Sequence, residues 1–325
     1  MGRMPSLPST VNSNVLNPKV RLIGLVEAIA GLSALLFLLG LFGRHHWALD
    51  LCSHFRAQYA GGLLICGLGL FIAGRRKSGI ASFAGGLLLS ATFLPFHPMP
   101  DTEGGPVLKV IAYNVNTAND RHREVCEFLD MEDADLILLT EVDRDWLDDL
   151  NSLNVRYPHR IEVPRNDNFG MVLLSKCAFL NQRVRTSGPY NLPWIDADVD
   201  WDGRPLRLIG LHPLPPVSGQ DSALRNGQLM EAAALLADRP GILLGDLNLT
   251  PYSPWFTEIL SRGRLIDTGA NAGISPTWSP YSPLLGIPID HVLIGRDMTP
   301  VGRAVGPAMG SDHHPLIVRI SPGSH

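Results

Sequence analysis

The sequence predicts a layered α/β domain over residues 107–325, preceded by apolar helices that cross a membrane. Three observations carry this. The composition breaks near residue 100: residues 1–100 hold 8 Lys/Arg and 2 Asp/Glu, whereas 101–325 hold 19 Lys/Arg and 29 Asp/Glu, a formal charge of −10. Long apolar runs fill the front part and are absent from the back. The back part instead alternates short β-rich runs with helical patterns, the signature of strands and helices stacked in layers.

In the front part, 22–42 is a run of 21 residues with a single charge, Glu27. At 1.5 Å per residue it reaches about 30 Å, the thickness of a hydrocarbon core. Two further runs, 57–74 and 78–96, complete a three-helix transmembrane segment over 22–96. Both are short, so a helical hairpin dipping into the membrane competes with two full spans. The glycines Gly61, Gly62, Gly67, Gly85 and Gly86 suggest close helix packing. Glu27 reads as a snorkelling or helix-pairing group rather than a functional one. Lys19 and Arg21 precede the first run, and Arg75, Arg76 and Lys77 separate the second from the third. The basic residues place the 1–21 tail and the RRK loop in the cytoplasm, and the back part on the extracytoplasmic side. In a bacterium this is an inner-membrane protein. Residues 97–106, "HPMPDTEGGP", read as a linker.

The back part opens with "VLKVIAYNVN" (107–116), a strand that stops at polar residues. An amphipathic helix follows at 120–133, then a buried-strand run, "ADLILLTEVD" (134–143). "DRDWLDD" (143–149) reads as a solvated helix start, and "DADVDWDG" (196–203) as an edge strand and hairpin. Further β runs occupy 169–176, 207–212, 241–248, 289–295 and 313–320, with a helix at 222–239 stopped by Pro240 and Gly241. The four cysteines show no C-x-x-C spacing, which argues against zinc and redox motifs and for free thiols, with a Cys126–Cys177 disulfide as the alternative. The negative charge of the back part disfavours a stable complex with nucleic acid.

Polar residues fall where the strands end: Asn114 and Asn116, Glu141, His212, Asp246 and Asn248, Asp290, and Asp312 with His313. Residues two apart in a strand face the same side, so Asn114 with Asn116, and Asp246 with Asn248, reach one pocket. Oxygen and imidazole groups alone suit a hard cation, Mg²⁺ or Mn²⁺, and an anionic substrate. Phosphate-ester hydrolysis needs an activated water, neutralised non-bridging oxygens and help for the leaving oxygen. Asp246 fits the proton acceptor, Glu141 the metal ligand, Asn114 and Asn248 neutral phosphate donors, and Asp290 the partner of His313.

The runs "AYNVN", "LLTEVD", "GMVLLSK", "GLHP", "GDLNLTP", "PIDHVLIG" and "GSDHHP", in this order, resemble the endonuclease/exonuclease/phosphatase superfamily, the DNase-I-like fold, over residues 105–320. The resemblance implies a four-layer α/β/β/α sandwich and a catalytic domain over 107–325. It implies Glu141, Asn114 and Asp312 at the metal, and His212, Asp246, Asn248, Asp290 and His313 in catalysis. Asn116 and Asn248 would bind substrate. Asn116 stands where some DNA-repair members carry Asp. Membrane spans ahead of such a domain resemble membrane-anchored bacterial members.

The reading is therefore a membrane-anchored, Mg²⁺- or Mn²⁺-dependent phosphoesterase. Its partners are a phosphate-ester substrate, with a lipid headgroup or small phosphodiester favoured, and the lipid bilayer. A nuclease is the alternative, with Arg160, Arg165, Arg183 and Arg185 as its only basic stripe, and a non-catalytic binding module is a second. A serine hydrolase has little support: G-x-S-x-G is absent, and Ser311 is adjacent to Asp312 and His313. Trp278 lines the pocket or packs a loop. Tyr157, His159 and Asn168 are further substrate-contact candidates, whereas His291 and His314 should be structural.

Overall fold

The computed structural model describes residues 18–94, 106–239, 241–282 and 284–323. Most of the 1–21 tail and of the 97–106 linker lies outside the described residues.

The α/β domain is built on two six-stranded mixed sheets. The first contains β1 (Leu108–Asn114), β2 (Leu136–Thr140), β3 (His159–Val163), β4 (Met171–Ser175), β11 (Met298–Val305) and β12 (Leu316–Pro322), in the order β11-β12-β1-β2-β4-β3. The second contains β5 (Phe179–Ser187), β6 (Leu192–Trp201), β7 (Arg204–Gly210), β8 (Gly241–Asp246), β9 (Leu265–Asp267) and β10 (Asp290–Gly295), in the order β5-β6-β7-β8-β10-β9. One parallel pair lies in each sheet, β1 with β2 and β7 with β8.

Alternation along each strand sends residues to two cores. Val110, Leu138 and Val318 of the first sheet meet Leu208, Leu244 and Val292 of the second in an apolar layer between them. Ile111, Tyr113 and Leu139 point the other way, under α5 (His122–Glu132) and α6 (Arg144–Leu150). Ile209, Leu243 and Leu293 lie under α7 (Gly219–Ala234) and α8 (Pro254–Gly263). The layers run helix, sheet, sheet, helix. Helix starts are set by side-chain caps: Asp143 accepts from Trp146 N at 2.9 Å, Ser218 from Asp221 N at 3.1 Å and Ser253 from Trp255 N at 3.2 Å. Each such cap stabilises its helix by about 1 kcal/mol.

Three expectations are corrected. "DADVDWDG" is no edge strand: β6 lies between β5 and β7, and β5 is the edge. Its acids mislead because Asp196 is buried against Arg185 (2.8 Å) and Arg207 (2.7 Å). The helix expected at 222–239 starts earlier, because Ser218 caps it, and gives way to turns after Ala234.

The third correction concerns the front part. Among the described residues one helix, α1 (Pro18–Gly40), is long and apolar enough to cross a membrane, not three. A short helix, α2 (Trp47–Ser53), is followed at a 59° bend by α3 (Arg56–Ile72), and the pair counts as a second span only if taken together. With α4 (Arg76–Ala91), α3 forms a hairpin of helices 17 and 16 residues long, about 25 Å each, too short for an untilted crossing. Small residues hold the hairpin closed: a Cβ on Gly67 would sit 2.5 Å from Phe83 N, and one on Gly86 2.7 Å from Leu64 Cγ. Gly61 has nothing near it and takes no part. Glu27 pairs with Arg75 at 3.0 Å and accepts from Ser78, so it joins α1 to the hairpin. Leu22, Leu25 and Leu35 on α1, Ile65 and Ile72 on α3, and Leu88 on α4 are all exposed. All four cysteines are free thiols.

The helical segment is docked on the α/β domain. Asp50 forms an ion pair with Arg225 at 2.8 Å and accepts from Ser253 Oγ at 2.6 Å. His54 Nδ1 meets Thr250 Oγ1 at 2.8 Å, Gln58 donates to the carbonyl of Gly286, and Arg44 pairs with Glu258. Phe93, just beyond α4, packs edge-on against Tyr252 at 5.6 Å.

Candidate active site

The strand-end residues converge because the central strands of both sheets end at the same edge of the sandwich. Asn114 closes β1 and Glu141 follows β2. His212 lies just beyond β7, Asp246 closes β8, Asp290 opens β10 across from it, and Asp312 and His313 precede β12. Three of the turns hold left-handed residues: Asn116 (φ 61°), Glu141 (φ 63°) and Asn248 (φ 49°). Asn tolerates this region, but for Glu141 it is strained, and such strain is retained where a side chain must be aimed. Gly245 allows the sheet to close: at φ 134° its Cβ would stand 2.0 Å from the Leu211 carbonyl oxygen.

The side chains form one network. Asn114 Nδ2 donates to Glu141 Oε1 at 2.8 Å and to Asp246 Oδ2 at 3.1 Å, and lies 3.4 Å from His313 Nε2. His313 Nδ1 meets Asp290 Oδ2 at 2.8 Å, and Thr277 Oγ1 accepts from Asp290 N at 3.1 Å. Asp246 Oδ2 lies 3.4 Å from His212 Nε2 and 3.6 Å from His313 Nε2, so a carboxylate is flanked by two imidazoles. Asn248 N donates back to Asp246 Oδ1 at 3.0 Å, while its amide donates to the Pro213 carbonyl at 3.1 Å and keeps a second N–H. Asp312 receives Asn116 Nδ2 at 2.8 Å on one oxygen and Trp278 Nε1 at 3.1 Å on the other. All nine residues singled out in the sequence thus meet in one constellation.

Electrostatics follow from burial among opposite charges. Burial opposes the charge of His313, but Asp290 and Asp246 outweigh it and the imidazole is pushed up to about 10. His212 is likewise raised: burial acts against it, and Asp246 with Glu141 overcomes burial. Burial disfavours the Asp246 carboxylate, yet His313 and His212 hold it well below the usual carboxylate range. At neutral pH the core of the site is a carboxylate beside a protonated His313, with His212 biased towards its charged form.

Asp246, Asp290 and His313 bring ligand atoms within 4.8 Å of one another, but a His313 ring that carries both protons offers a cation no lone pair, so the oxygen donors bear on the fit. His313 Nδ1 and one Asp290 oxygen already engage each other, whereas Asp290 Oδ1 is buried without a partner among the described residues. Glu141 receives one donor, on Oε1, and its Oε2 has none among the described residues. The carboxylate and amide oxygens present therefore fit a hard divalent cation.

A cavity of about 510 Å³ opens over this network, lined by Glu141, His212, Asp246, Asn248, Asp312 and His313. Trp278 and Asn168 line it too, whereas Tyr157 is buried with its hydroxyl turned to the Leu129 carbonyl and His159 packs beside Phe179. His291 and His314 bond to backbone carbonyls of Leu249 and Gly306. Ser311 is fully buried, donating to the Asn114 carbonyl at 2.7 Å and accepting from His313 N, which removes it as a nucleophile. The sequence reading missed Leu51, His54 and Phe55, which line the cavity from the helical segment. Their only signal was the apolar and aromatic character of the loop after the first span.

No curated protein matches the chain. The endonuclease/exonuclease/phosphatase of Beutenbergia cavernae is 22% identical, covers 67% of this chain and 72% of its own, and superposes with a TM-score of 0.58. The 3′ phosphatase NExo from Neisseria, solved with a product DNA hairpin, is 19% identical over 65% of this chain and 98% of its own, with a TM-score of 0.56. A humanized D. rerio TDP2 is 19% identical over 66% of this chain and 99% of its own, with a TM-score of 0.55. At these identities the likeness is one of fold. The sequence model described as Endonuclease/Exonuclease/phosphatase family matches residues 111–313, most of the α/β domain and more than half of the chain, and the protein belongs to that family.

Proposed function

We propose that this protein is a membrane-anchored, divalent-metal-dependent phosphodiesterase whose domain works on the extracytoplasmic side. The observation that carries the reading is one network in which Glu141, Asp246, His212 and His313 line a cavity and Asn114 and Asp290 support them from beneath. Asp246, held deprotonated, orients the attacking water and takes its proton. The new P–O bond forms as the ester P–O bond breaks, and the leaving oxygen departs as an alcohol after taking a proton from solvent water. His313 presents its protonated Nε2 to the phosphate oxygens with the His212 ring beside it, and Asp290 fixes the orientation of the His313 ring. The free N–H of Asn248 binds the phosphate without adding charge, and Asn116 steers Asp312. Glu141, with Asn114 and Asp312, would hold Mg²⁺ or Mn²⁺. The ion would neutralise charge on the phosphate oxygens.

A lipid headgroup or small phosphodiester is favoured over nucleic acid. The basic stripe that a nuclease needs is mostly self-neutralised: Arg160 pairs with Glu162, Arg165 with Asp167 and Arg185 with Asp196, leaving Arg183 exposed on β5. Anchoring rests on α1 and the exposed apolar side chains of α1, α3 and α4, and the orientation on the basic residues Lys19, Arg21 and Arg75–Lys77. The test is hydrolysis of bis-p-nitrophenyl phosphate by the full chain in detergent, with Mg²⁺ or Mn²⁺, beside EDTA and Asp246→Ala. Metal-dependent turnover lost in the variant supports the reading. No turnover by folded, metal-loaded protein favours a binding module.

A further inference from the structure

The catalytic cavity has one wall that the α/β domain does not supply. Leu51, near the end of α2, and His54 and Phe55, in the bend before α3, line it together with the strand-end residues. From the domain side the loop after His212 adds Pro215, Pro216 and Val217. The cavity therefore has a charged floor and an apolar side, with the phosphate chemistry confined to the floor.

His54 breaks the apolar wall. It is 4% exposed, its Nδ1 is engaged by Thr250, and its Nε2 has no partner among the described residues. A buried ring nitrogen without a partner is costly unless a ligand meets it.

The surroundings of the mouth are apolar as well. Val217 is 72% exposed. The loop that supplies Ile287 to the lining also carries Leu284, 85% exposed, and Leu285, and Gln58 of α3 ties it down through Gly286. The end of α1 lies against the same bend, since a Cβ on Gly40 would come within 2.8 Å of Ser53 N. Bend, cavity and apolar rim thus lie where the candidate span ends.

We infer that the α2–α3 bend is a substrate subsite, and that the substrate is a phospholipid taken from the bilayer that holds α1. This rests on the phosphodiesterase reading and names its substrate class. The scissile phosphodiester sits on the charged floor, and the adjoining apolar part of the lipid lies along Leu51, Phe55 and Val217. A sugar phosphate has no apolar group to cover such a wall, and the aliphatic Leu51, Pro215, Pro216 and Val217 favour a ligand with an acyl or glyceryl part.

The test uses the full chain in vesicles of phosphatidylethanolamine, phosphatidylglycerol and phosphatidylcholine with Mg²⁺ or Mn²⁺. Lipid phosphorus is followed by ³¹P NMR, and a parallel assay uses water-soluble methyl p-nitrophenyl phosphate. The expected result is metal-dependent loss of a phospholipid signal. In Leu51→Ser, Phe55→Ser and Val217→Ser the ratio of phospholipid to soluble-diester turnover falls about tenfold, the loss expected when about 1.4 kcal/mol of apolar contact goes. Val217 is exposed, so its variant keeps the fold. Turnover of the soluble diester with no phospholipid cleaved overturns the inference and leaves the phosphodiesterase reading standing. An unchanged ratio in all three variants overturns the role of the bend. Turnover of neither substrate removes the phosphodiesterase reading, and the inference with it.

Discussion

Asp50 and Arg225, 175 residues apart in the chain, form a fully buried ion pair at 2.8 Å between the helical segment and the catalytic domain. The same guanidinium donates to the carbonyl of Asn248 at 2.9 Å, so the pair reaches the loop that follows Asp246 in the candidate site. Arg225 is 0% exposed and has no water to turn to if its partner is lost.

Asp50→Asn should therefore destabilise the full chain by about 3 kcal/mol and lower turnover as the Asn248 loop loosens. The paired change Asp50→Leu with Arg225→Met should recover much of the stability but not the activity. Thermal melting in detergent beside turnover measures both. A silent Asp50→Asn would mean that the two parts do not share this contact.

His313→Ala should reduce turnover by about 10²–10⁴-fold while the melting temperature changes little by comparison, since the loss is one of proton placement. Asp290→Asn should reproduce part of the loss, because it frees the ring and removes the charge that supports its proton. Steady-state kinetics on a small phosphodiester reads both.

The same histidine sets a pH dependence in the metal-free protein. Its folded value is raised to about 10, above the ordinary value near 6.5. A raised imidazole binds its proton more tightly in the folded state. Its stabilisation is complete below about 6.5 and is lost as pH climbs towards 10. Melting curves of wild type and His313→Gln should converge over that interval, and curves that stay apart at pH 10 would remove this linkage.

Asp196 behaves oppositely, away from the site. Burial works against its charge, but Arg207 and Arg185 hold its carboxyl below the usual range. Its contribution is present above about pH 4 and is lost on acidification through the lowered folded value. Asp196→Asn should lower the melting temperature at pH 7 and close much of the gap in strong acid.

Gly245→Ala should yield little folded protein. The new methyl would meet the Leu211 carbonyl oxygen at 2.0 Å, and the φ of 134° is closed to residues with a Cβ. Soluble yield and melting temperature check this.

The α/β domain was legible because each core strand is a short apolar run with a polar residue at its end. Asn114, Glu141, Asp246 and His313 could be picked out by that position alone. β6 misled because its alternating acids look solvated, and only the neighbouring strands reveal Arg185 and Arg207. The helical segment misled differently. Hydropathy measures how long an apolar run is, but not that α2 and α3 bend by 59°, or that Asp50 and His54 are held by partners about 200 residues away. Leu51 and Phe55 could not be assigned to a catalytic cavity from a sequence that places them in a loop between spans.

The contact of Gly40 with Ser53 has a kinetic consequence. It holds the candidate cavity at the exit of the candidate span, so under the proposed phospholipid reading enzyme and substrate share one plane. Encounter is then a matter of lateral diffusion in two dimensions, and effective concentration is a mole fraction in the sheet rather than a molarity in the flask. Adding buffer to such vesicles leaves the rate per enzyme unchanged, whereas adding inert lipid lowers it. A water-soluble ester obeys the opposite rule.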